Sequence, residues 1–500
     1  MMKILLANPA ARESISNTKE RFFIKAGSRW PWSYIKSKKE KNRCCFFPFF
    51  LAYTANILRK AGYNVQIIDG VAMDMSEIEF LQKVKSFSPD LIVIETATHA
   101  INHDLMLCRK LKIILPDSKI VLCGAHATVF AREILESNDC VDFIALGEYE
   151  YTILKLIERL DKGTGNLKIE GLGHKIKSEI WVSDKKGFIE DINSLPFPAF
   201  DLFPCNDSPD LTIYRDGICT YWPAVTLHSS RGCPFRCDFC MWNQIMYDNG
   251  PYRMFDPKRV VDEMEYVIEK FGAREIYFDD DDFCINKQHV INICNEIKKR
   301  RLKVKWSCMG DAMCTDEEMI RIMADAGCIY MKFGVESGSK EILKNIGKPL
   351  DPSKAIKVAR WCRKYGIMTH ATFSLGLDGE TRETMRETLR LANKIKFDTA
   401  QVSITTPFPG TRYYQKLVER GFLKGQKWDS FDGTTSCTFN TDTLTAREIE
   451  VFRKKAIKSI VLHKIIDPIW VWRYLKRSYL LYKNWGLEVV LEPIKALINL

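Results

Sequence analysis

The chain has 500 residues, of which 46% are hydrophobic and 11% aromatic, so it is long enough for two or three packed domains and is not a disordered protein. Its sequence contains neither a signal peptide nor the ~20 consecutive apolar residues of a membrane-spanning helix, and we expect a cytoplasmic protein with reduced cysteines. The net charge of +11 does not favour nucleic acid as a partner, because much of the excess lies near the carboxyl terminus.

Short apolar strands alternate with helices in the amino-terminal part of the chain. We predict strands at residues 3–8, 64–69, 90–95, 119–123 and 141–146, and helices at residues 46–61, 76–87, 102–115 and 151–160. This alternation predicts a doubly wound parallel sheet, whose ligand crevice lies at the carboxyl ends of the strands. Two glycine turns, Gly124-Ala125-His126 and Gly147-Glu148, follow strands at that edge.

Two long connections interrupt the alternation. Residues 9–45 are basic and aromatic, and their tryptophan and phenylalanine content favours an ordered segment that covers a ligand. Residues 162–222 form a connector, in which we predict a hairpin at residues 171–183 and an extended segment around Pro196 and Pro198.

Three cysteines, Cys233, Cys237 and Cys240, stand in one loop directly after an apolar run at residues 224–227. Their C-x3-C-x2-C spacing lets three thiolates wrap one inorganic cluster, and a cubane iron–sulfur cluster held by three cysteines keeps one iron open. Tetrahedral zinc with a distant fourth ligand, or three idle buried thiols, are the alternatives.

Strand–helix alternation resumes around this loop. Strands are predicted at residues 225–228, 275–278, 303–307, 330–335, 368–375 and 401–405, and helices at residues 258–271, 287–300, 316–326, 352–365 and 380–395. In β/α barrels the functional groups stand at the carboxyl ends of the strands. Four consecutive aspartates, residues 279–282, follow the second of these strands. They repel one another unless a positive group binds there, although an exposed turn and helix cap is the alternative.

At these residues the sequence resembles the radical S-adenosylmethionine (radical SAM) superfamily, whose signature is this cysteine loop after the first strand of a partial (β/α)6 barrel. The resemblance implies a four-iron, four-sulfur cluster on Cys233, Cys237 and Cys240, which cleaves S-adenosylmethionine to a 5′-deoxyadenosyl radical. It also implies that further residues contact S-adenosylmethionine: Asp279, Asp280, Asp281, Glu336, Ser337, Gly376 and Gly379. Trp242, just after the loop, packs either on the adenine or in the core.

The first sheet resembles the cobalamin-binding domain that precedes the barrel in many radical SAM enzymes. This resemblance implies that Gly124, His126, Gly147 and Glu148 lie at a cobalamin. The Asp-x-His-x-x-Gly motif of histidine-ligated cobalamin is absent from the strand exits, so we expect no histidine below the cobalt. Ligation by His126 or His99, and a sheet with a purely structural role, are the alternatives.

From about residue 428 the sequence departs from the barrel pattern. Between residues 453 and 483 it combines nine basic residues with many aromatic ones and a single acid, Asp467. Helices of this composition either pack on the barrel or lie in a membrane interface.

The order of these parts resembles the cobalamin-dependent radical SAM group that contains the anaerobic magnesium-protoporphyrin ester cyclase and the hopanoid-tailoring enzymes. We therefore expect a cobalamin-binding domain at residues 1–161, a connector at 162–222, a barrel at 223–427 and a helical region at 428–500. The resemblance implies an enzyme for methylation, cyclisation or ring rearrangement of an apolar or lipid-like small molecule. Its expected partners are an electron donor such as ferredoxin or flavodoxin and a membrane surface, but no nucleic acid. An iron–sulfur redox sensor or nucleic-acid-binding regulator is the alternative.

Overall fold

A computed structural model describes residues 2–27, 31–40, 45–163, 166–176, 179–214, 216–423, 427–431, 433 and 436–486. The strands are β1 (Lys3–Asn8), β2 (Ala11–Ser14), β3 (Lys19–Ile24), β4 (Trp32–Ser37), β5 (Asn64–Asp69), β6 (Leu91–Glu95), β7 (Lys119–Cys123), β8 (Phe143–Ala145), β9 (Leu172–Ile176), β10 (Glu179–Val182), β11 (Ala224–Leu227), β12 (Ser230–Arg231), β13 (Arg253–Met254), β14 (Glu275–Phe278), β15 (Lys305–Gly310), β16 (Cys328–Glu336), β17 (Met368–Leu375) and β18 (Thr399–Ile404). The helices are α1 (Phe49–Lys60), α2 (Glu77–Phe87), α3 (Ile101–Ile114), α4 (Ala125–Val129), α5 (Ala131–Ser137), α6 (Glu150–Asp161), α7 (Pro257–Phe271), α8 (Lys287–Lys299), α9 (Glu317–Asp325), α10 (Lys340–Asn345), α11 (Pro352–Lys364), α12 (Arg382–Lys394), α13 (Arg412–Glu419), α14 (Ala446–Ile465) and α15 (Pro468–Trp485).

The first sheet has the strand order β10-β9-β8-β7-β6-β1-β5. Its five strands from β5 to β8 are parallel, and side chains alternate between two buried faces. Ile4 and Leu6 of β1 pack with α1 and α6, whereas Leu5 and Ala7 pack with α2 and α3. The predicted doubly wound parallel sheet is confirmed, and its crevice lies where the strand order reverses, between β1 and β6.

The connector contributes to this first sheet. Its predicted hairpin is the antiparallel pair β9–β10, and β9 pairs with the edge strand β8. An edge strand that pairs in this way no longer offers unpaired backbone groups to other chains.

The strands β2, β3 and β4 form a small antiparallel sheet, where the sequence predicted only an ordered connection. Phe23 of β3 packs on Ala100 and lies 5.3 Å from the ring of His99, at the start of α3. Just after β3, the Lys25 ammonium lies 2.5 Å from the Asp104 carboxylate, and both groups are buried. The segment is therefore anchored next to the crevice. Residues 28–30 of this connection lie outside the described residues.

The second sheet contains β11, β14, β15, β16, β17 and β18 in chain order, and every neighbouring pair is parallel. The helices α7, α8, α9, α11 and α12 follow one another between these strands. The six predicted strand–helix units are therefore observed, and all six strands end at the same edge of the sheet.

The two carboxyl-terminal helices pack on this second domain. α14 contacts α12 and β18, and α15 is anchored by two arginines. Arg473 lies 2.6 Å from the Asp398 carboxylate, and Arg477 donates to the carbonyl of Gly217. In the part of the chain that the structure describes, no helix combines the length and the apolar character needed to cross a membrane.

Candidate functional site

The loop that carries Cys233, Cys237 and Cys240 begins at the carboxyl end of β11. Gly232 opens it with φ of +86°, a left-handed conformation that disfavours other residues, and an added Cβ would lie 3.0 Å from the Pro251 carbonyl oxygen. The three cysteines are partly buried, and none of them forms a disulfide. The loop is thus built from a strand end and a tight turn, as a ligand-binding loop of a barrel should be.

Gln244 holds the backbone of this cysteine loop. It stands on a π-helical turn, Trp242–Met246, directly after the third cysteine. Its amide nitrogen lies within hydrogen-bond distance of three loop carbonyl oxygens, those of Cys237, Asp238 and Cys240, at 2.9–3.2 Å. Its amide oxygen accepts a hydrogen bond from the backbone nitrogen of Arg412. One side chain therefore ties the cysteine loop to the start of α13, a role that sequence reasoning missed.

Two of the four consecutive aspartates also hold the loop. Both carboxylate oxygens of the buried Asp280 accept hydrogen bonds, from the backbone of Ser229 and from the hydroxyls of Ser229 and Ser230. Asp281 accepts from the backbone nitrogen of Gly232 at 2.9 Å. These contacts position the loop from the neighbouring strand β14. The contacts of Asp279, Asp280 and Asp281 with S-adenosylmethionine stay a prediction.

The fourth aspartate, Asp282, faces a second carboxyl group. Burial, together with the adjacent Asp311 at the end of β15, raises the pKa of Asp282 well above its usual value. Asp311 accepts hydrogen bonds from the backbone nitrogens of Met313 and Cys314. Burial and the neighbouring carboxylate thus favour the protonated form of Asp282 at the mouth of the barrel. Nothing in the local sequence around residue 311 distinguishes it from an ordinary turn.

The cysteine thiols fit a metal cluster by their chemistry. Burial raises the pKa of Cys237 to about 12, and it raises the pKa of Cys233 further. Buried thiolates are costly unless a metal centre compensates their charge, so the loop suits ligands to iron. Among the described residues, no three histidine, cysteine, aspartate or glutamate side chains converge as they do around a metal ion.

Glu336 ends the longest barrel strand in an unusual conformation. Its φ of +64° is rare for a residue with a side chain, and the pairing of β16 with β17 shifts register between Gly334 and Glu336. One carboxylate oxygen lies 3.1 Å from the Lys348 ammonium, and the other accepts from the Ser374 hydroxyl at 2.9 Å. Such strain at a strand end is typical of functional sites.

Lys348, which the sequence did not single out, connects two parts of the site. The negative charges of Glu336 and Cys237 raise its pKa against the effect of burial. The structure therefore brings Glu336 and the cysteine loop together. Ser337, in contrast, is fully buried beside Thr388 of α12, with 3.2 Å between the hydroxyl oxygens. The assignments of Glu336 and Ser337 to the cofactor stay predictions.

The glycine segment after β17 is a tight turn closed by a buried carboxyl group. Gly376 and Gly379 have φ of +77° and +78°, and an added Cβ on Gly379 would lie 2.7 Å from the Asn345 side chain. Glu380 accepts a hydrogen bond from the backbone nitrogen of Gly376 at 2.5 Å, and burial raises its pKa to about 8. Gly379 is exposed and has no side chain, so a flat ligand can approach its backbone closely, whereas Gly376 is buried against Phe439 and Ile449.

At the crevice of the first sheet, Gly124 and His126 take different positions. Gly124 has φ of +97°, and an added Cβ would meet the Thr96 carbonyl group. His126 is buried between Phe130 and Trp428, and its Nδ1 lies 3.3 Å from the Thr98 hydroxyl. Burial lowers the pKa of His126 to about 3, so the ring is neutral at physiological pH. The roles of these residues at cobalamin stay predictions.

The second glycine turn of the first sheet leads into a buried group of four charges. Glu148 lies 2.9 Å from Arg231 and 2.7 Å from Arg253, and it also accepts from the backbone nitrogen of Ile189. Arg231 lies 2.8 Å from Glu150, although this contact lacks the geometry of a hydrogen bond. Arg231 stands two residues before Cys233, so these pairs join the edge of the first sheet directly to the cysteine loop.

Two further contacts close the boundary between the domains. Gly147, with φ of +66°, is so close to the connector and to the π-helical turn that an added Cβ would meet Gly187 and the Met246 carbonyl oxygen. Trp242 is buried and stacks on Phe50 of α1, with ring centroids 5.4 Å apart. Of the two predicted environments of Trp242, the structure shows core packing.

Comparisons with known proteins match both parts of the chain. The radical SAM superfamily matches residues 227–392, and the B12 binding domain matches residues 44–157. An uncharacterized methyltransferase of Pyrococcus horikoshii is 30% identical over 416 residues, which cover 83% of this chain and 88% of the relative. The anaerobic magnesium-protoporphyrin IX monomethyl ester cyclase of Cereibacter sphaeroides is 30% identical over 389 residues, which cover 75% of this chain and 60% of the cyclase.

Among solved structures, the fold is similar to the radical S-adenosylmethionine methyltransferase TsrM from Kitasatospora setae, with cobalamin and a [4Fe-4S] cluster bound. The TM-score is 0.65 at 17% identity, and the match covers 93% of this chain and 89% of that one. At this identity the likeness supports the fold, including the order of the two sheets.

Proposed function

The chain belongs to the radical SAM superfamily, among the members with a B12-binding domain before the barrel, and we propose that it is a methyltransferase. It is an enzyme whose cofactors are a [4Fe-4S] cluster, S-adenosylmethionine and cobalamin. These assignments disfavour the redox sensor and the nucleic-acid-binding regulator that the sequence left as the alternative. We propose that the methyl group goes to a small-molecule substrate.

The observation that carries this proposal is the ion-paired junction between the two cofactor-binding parts. Glu148, at a strand exit of the first sheet, binds Arg231 in the chain segment that enters the cysteine loop. The bound groups supply the methyl donor and the methyl carrier, and such a transfer needs both in one space. The junction supports methyl transfer because it joins the first sheet, at the carboxyl end of β8, to that loop.

The chain's own residues have distinct tasks in this proposal. Cys233, Cys237 and Cys240 hold the cluster, while Gln244 and Asp280 fix the loop that carries them. Glu336 and the glycine turn at residues 376–379 bind and orient the adenosine part of the methyl donor. The apolar cover of the loop, such as Phe235 and Phe239, excludes water from the reacting groups.

The test is an anaerobic assay of the reconstituted enzyme with a chemical reductant. We expect both S-adenosylhomocysteine and 5′-deoxyadenosine, since methyl transfer forms the first product and radical formation the second. Cys237→Ala should abolish 5′-deoxyadenosine, whereas the matched variant Cys437→Ala, outside the loop, should retain it. Formation of 5′-deoxyadenosine by Cys237→Ala at the rate of the unmodified enzyme would contradict the cluster assignment.

Ring closure is the second candidate function, because the Cereibacter sphaeroides cyclase is 30% identical to this chain as well. The same assay separates the two functions. Formation of 5′-deoxyadenosine without S-adenosylhomocysteine would favour cyclisation or another rearrangement over methylation.

We also propose that the electron donor is an acidic ferredoxin or flavodoxin that docks beside the cysteine loop. A groove of about 670 Å³ is formed by Pro234, Phe235 and Arg236 of the loop and by the segment from α10 to Asp351. Arg236, Lys340 and Lys344 are exposed there, and Asp351 is the acid in the lining. A basic groove attracts an acidic partner and speeds its association.

Charge reversal tests this docking surface without touching the loop. Lys340→Glu/Lys344→Glu should weaken binding of an oxidised acidic ferredoxin at least about tenfold, measured by calorimetry at low ionic strength. The control is Lys155→Glu/Lys357→Glu, which reverses two exposed lysines on α6 and α11. Equal binding by the two double variants would refute the surface, while 5′-deoxyadenosine formation with a chemical reductant should stay unchanged in both.

We also propose that the substrate is apolar and that the enzyme lies at a membrane surface. Large exposed apolar side chains near the carboxyl terminus support this part of the proposal. A substrate that partitions into lipid reaches an enzyme at the bilayer surface more readily than an enzyme in bulk water.

A further inference from the structure

The outward face of α15, together with the last residue of α14, carries a row of apolar side chains. The row consists of Ile465, Ile469, Trp472, Leu475, Tyr479 and Tyr482. The spacing of three or four residues places the five side chains from Ile469 to Tyr482 on one side of α15, and all six are more than half exposed. We call this row the apolar stripe. A surface of this kind is rare on proteins that contact only water, so it indicates a binding surface.

The opposite face of α15 explains why the helix keeps this orientation. Arg473 pairs with Asp398 at 2.6 Å, and the Trp470 indole nitrogen donates to the Asp398 carbonyl at 2.7 Å. Arg477 donates to the Gly217 carbonyl at 3.0 Å. Because these groups anchor the inward face to the barrel, the stripe cannot rotate into the core without breaking them.

The charges around the stripe have one sign. Lys476 and Lys483 are exposed on α15, next to the stripe, and Lys454, Lys455 and Lys458 are exposed on α14. Residues 451–486 contain a single acidic residue, Asp467. Its carboxylate lies 3.2 Å from the Arg363 guanidinium and 3.3 Å from the Lys396 ammonium. The surface therefore combines aromatic and aliphatic side chains with lysines, the composition of helices that lie in a membrane interface.

From these observations we infer that the apolar stripe of α15 binds the surface of a bilayer that contains anionic lipid. Trp472, Tyr479 and Tyr482 enter the headgroup region, and Lys476 and Lys483 pair with lipid phosphates. The inference rests on the proposed location at a membrane surface, and it names the side chains that contact the membrane. It predicts attachment that weakens with salt but also needs the apolar side chains.

The test is flotation of the full-length holoenzyme with vesicles of phosphatidylcholine alone or mixed with phosphatidylglycerol. We expect binding to the mixed vesicles at low ionic strength. Trp472→Ser/Leu475→Ser/Tyr479→Ser should lower the partition coefficient at least about tenfold. The matched control Ile35→Ser/Ile78→Ser/Ile113→Ser removes three other exposed isoleucines and should bind as the unmodified enzyme does. Lys476→Gln/Lys483→Gln should lower binding by roughly fivefold per lysine.

Three results would overturn the inference. One is an unmodified enzyme that floats with neither vesicle. Another is equal flotation of the stripe variant and the unmodified enzyme. A third is a dimer in sedimentation analysis that dissociates in the stripe variant, because a second copy would then occupy the surface. S-adenosylhomocysteine formation in solution by the same variants reports separately on the proposed methyl transfer.

Discussion

Replacement of Arg231 by methionine is the sharpest test of the junction between the two sheets. Arg231 is fully buried, lies between the carboxylates of Glu148 and Glu150, and covers the rings of Phe50 and Tyr53. Methionine keeps most of the apolar stem but removes the cation. Arg231→Met leaves Glu150 buried without its positive partner, and that is the perturbation we expect to dominate.

The expected loss follows from the partners that remain. Removal of one member of a buried ion pair costs about 3–5 kcal/mol, because the other charge stays desolvated. Glu148 keeps Arg253 at 2.7 Å, so Glu150 carries most of the cost and we expect about 3 kcal/mol. Glu150→Gln should restore part of this stability, because the double variant Arg231→Met/Glu150→Gln no longer has the buried charge of Glu150. The double variant should therefore lose about 1–3 kcal/mol less than the sum of the losses of the two single variants.

Urea denaturation, followed by both circular dichroism and tryptophan fluorescence, measures these losses. The free energy of unfolding is well defined only where the two signals change together, which the comparison of probes checks. A loss below about 1 kcal/mol in Arg231→Met, or full additivity in the double variant, would refute the reasoning. As a control, Arg321→Met changes an exposed arginine on α9, whose surface pair with Asp325 should contribute less than about 1 kcal/mol.

Three further predictions concern single side chains. Burial raises the pKa of Glu380 from 4.5 to about 8, so its stabilising effect is complete below pH 4.5 and lost as the pH rises through about 8. Glu380→Gln should therefore remove a stability change of about 5 kcal/mol from urea curves over that range. Gln244→Leu should weaken iron binding roughly 30-fold, through loss of about 2 kcal/mol of loop hydrogen bonding, whereas Gln288→Leu on α8 should not. His126→Ala should leave the electron paramagnetic resonance spectrum of bound Co(II) cobalamin unchanged, and an altered nitrogen splitting would show that this histidine is a ligand.

Most of the fold could be predicted because its elements have strong local signals. The parallel strands are continuous apolar runs, and the helices between them have a clear period, so their positions differ from the predictions mainly at the ends. The prediction missed the sheet of β2–β4, since β2 consists mainly of polar residues and β4 buries Ser33 and Lys36 while it exposes Ile35. Its pairing depends on the packing of Phe23 against α3, which is not visible in the local sequence.

The candidate site was predictable only where spacing along the chain is diagnostic. The three cysteines lie within eight residues, so their association needs no knowledge of the fold. Arg231 and Glu148 are 83 residues apart, and nothing in either segment indicates their contact. For the same reason the sequence assigned Glu148 only to cobalamin, whereas the structure shows both carboxylate oxygens bound to arginines. Lys348 and Gln244 were missed because single polar residues in helices and turns have no distinctive pattern.

The connector at residues 162–222 has a mechanical consequence. Its hairpin belongs to the first sheet, and Gly187 packs closely against Gly147. Lys186 donates a hydrogen bond to the Gln244 carbonyl and forms an ion pair with Asp248. A hinge needs a few residues whose dihedral angles can change freely, and these residues are held from both sides. We therefore expect the two sheets to move together. A substrate is then expected to enter through displaced loops and side chains rather than through opening at the connector.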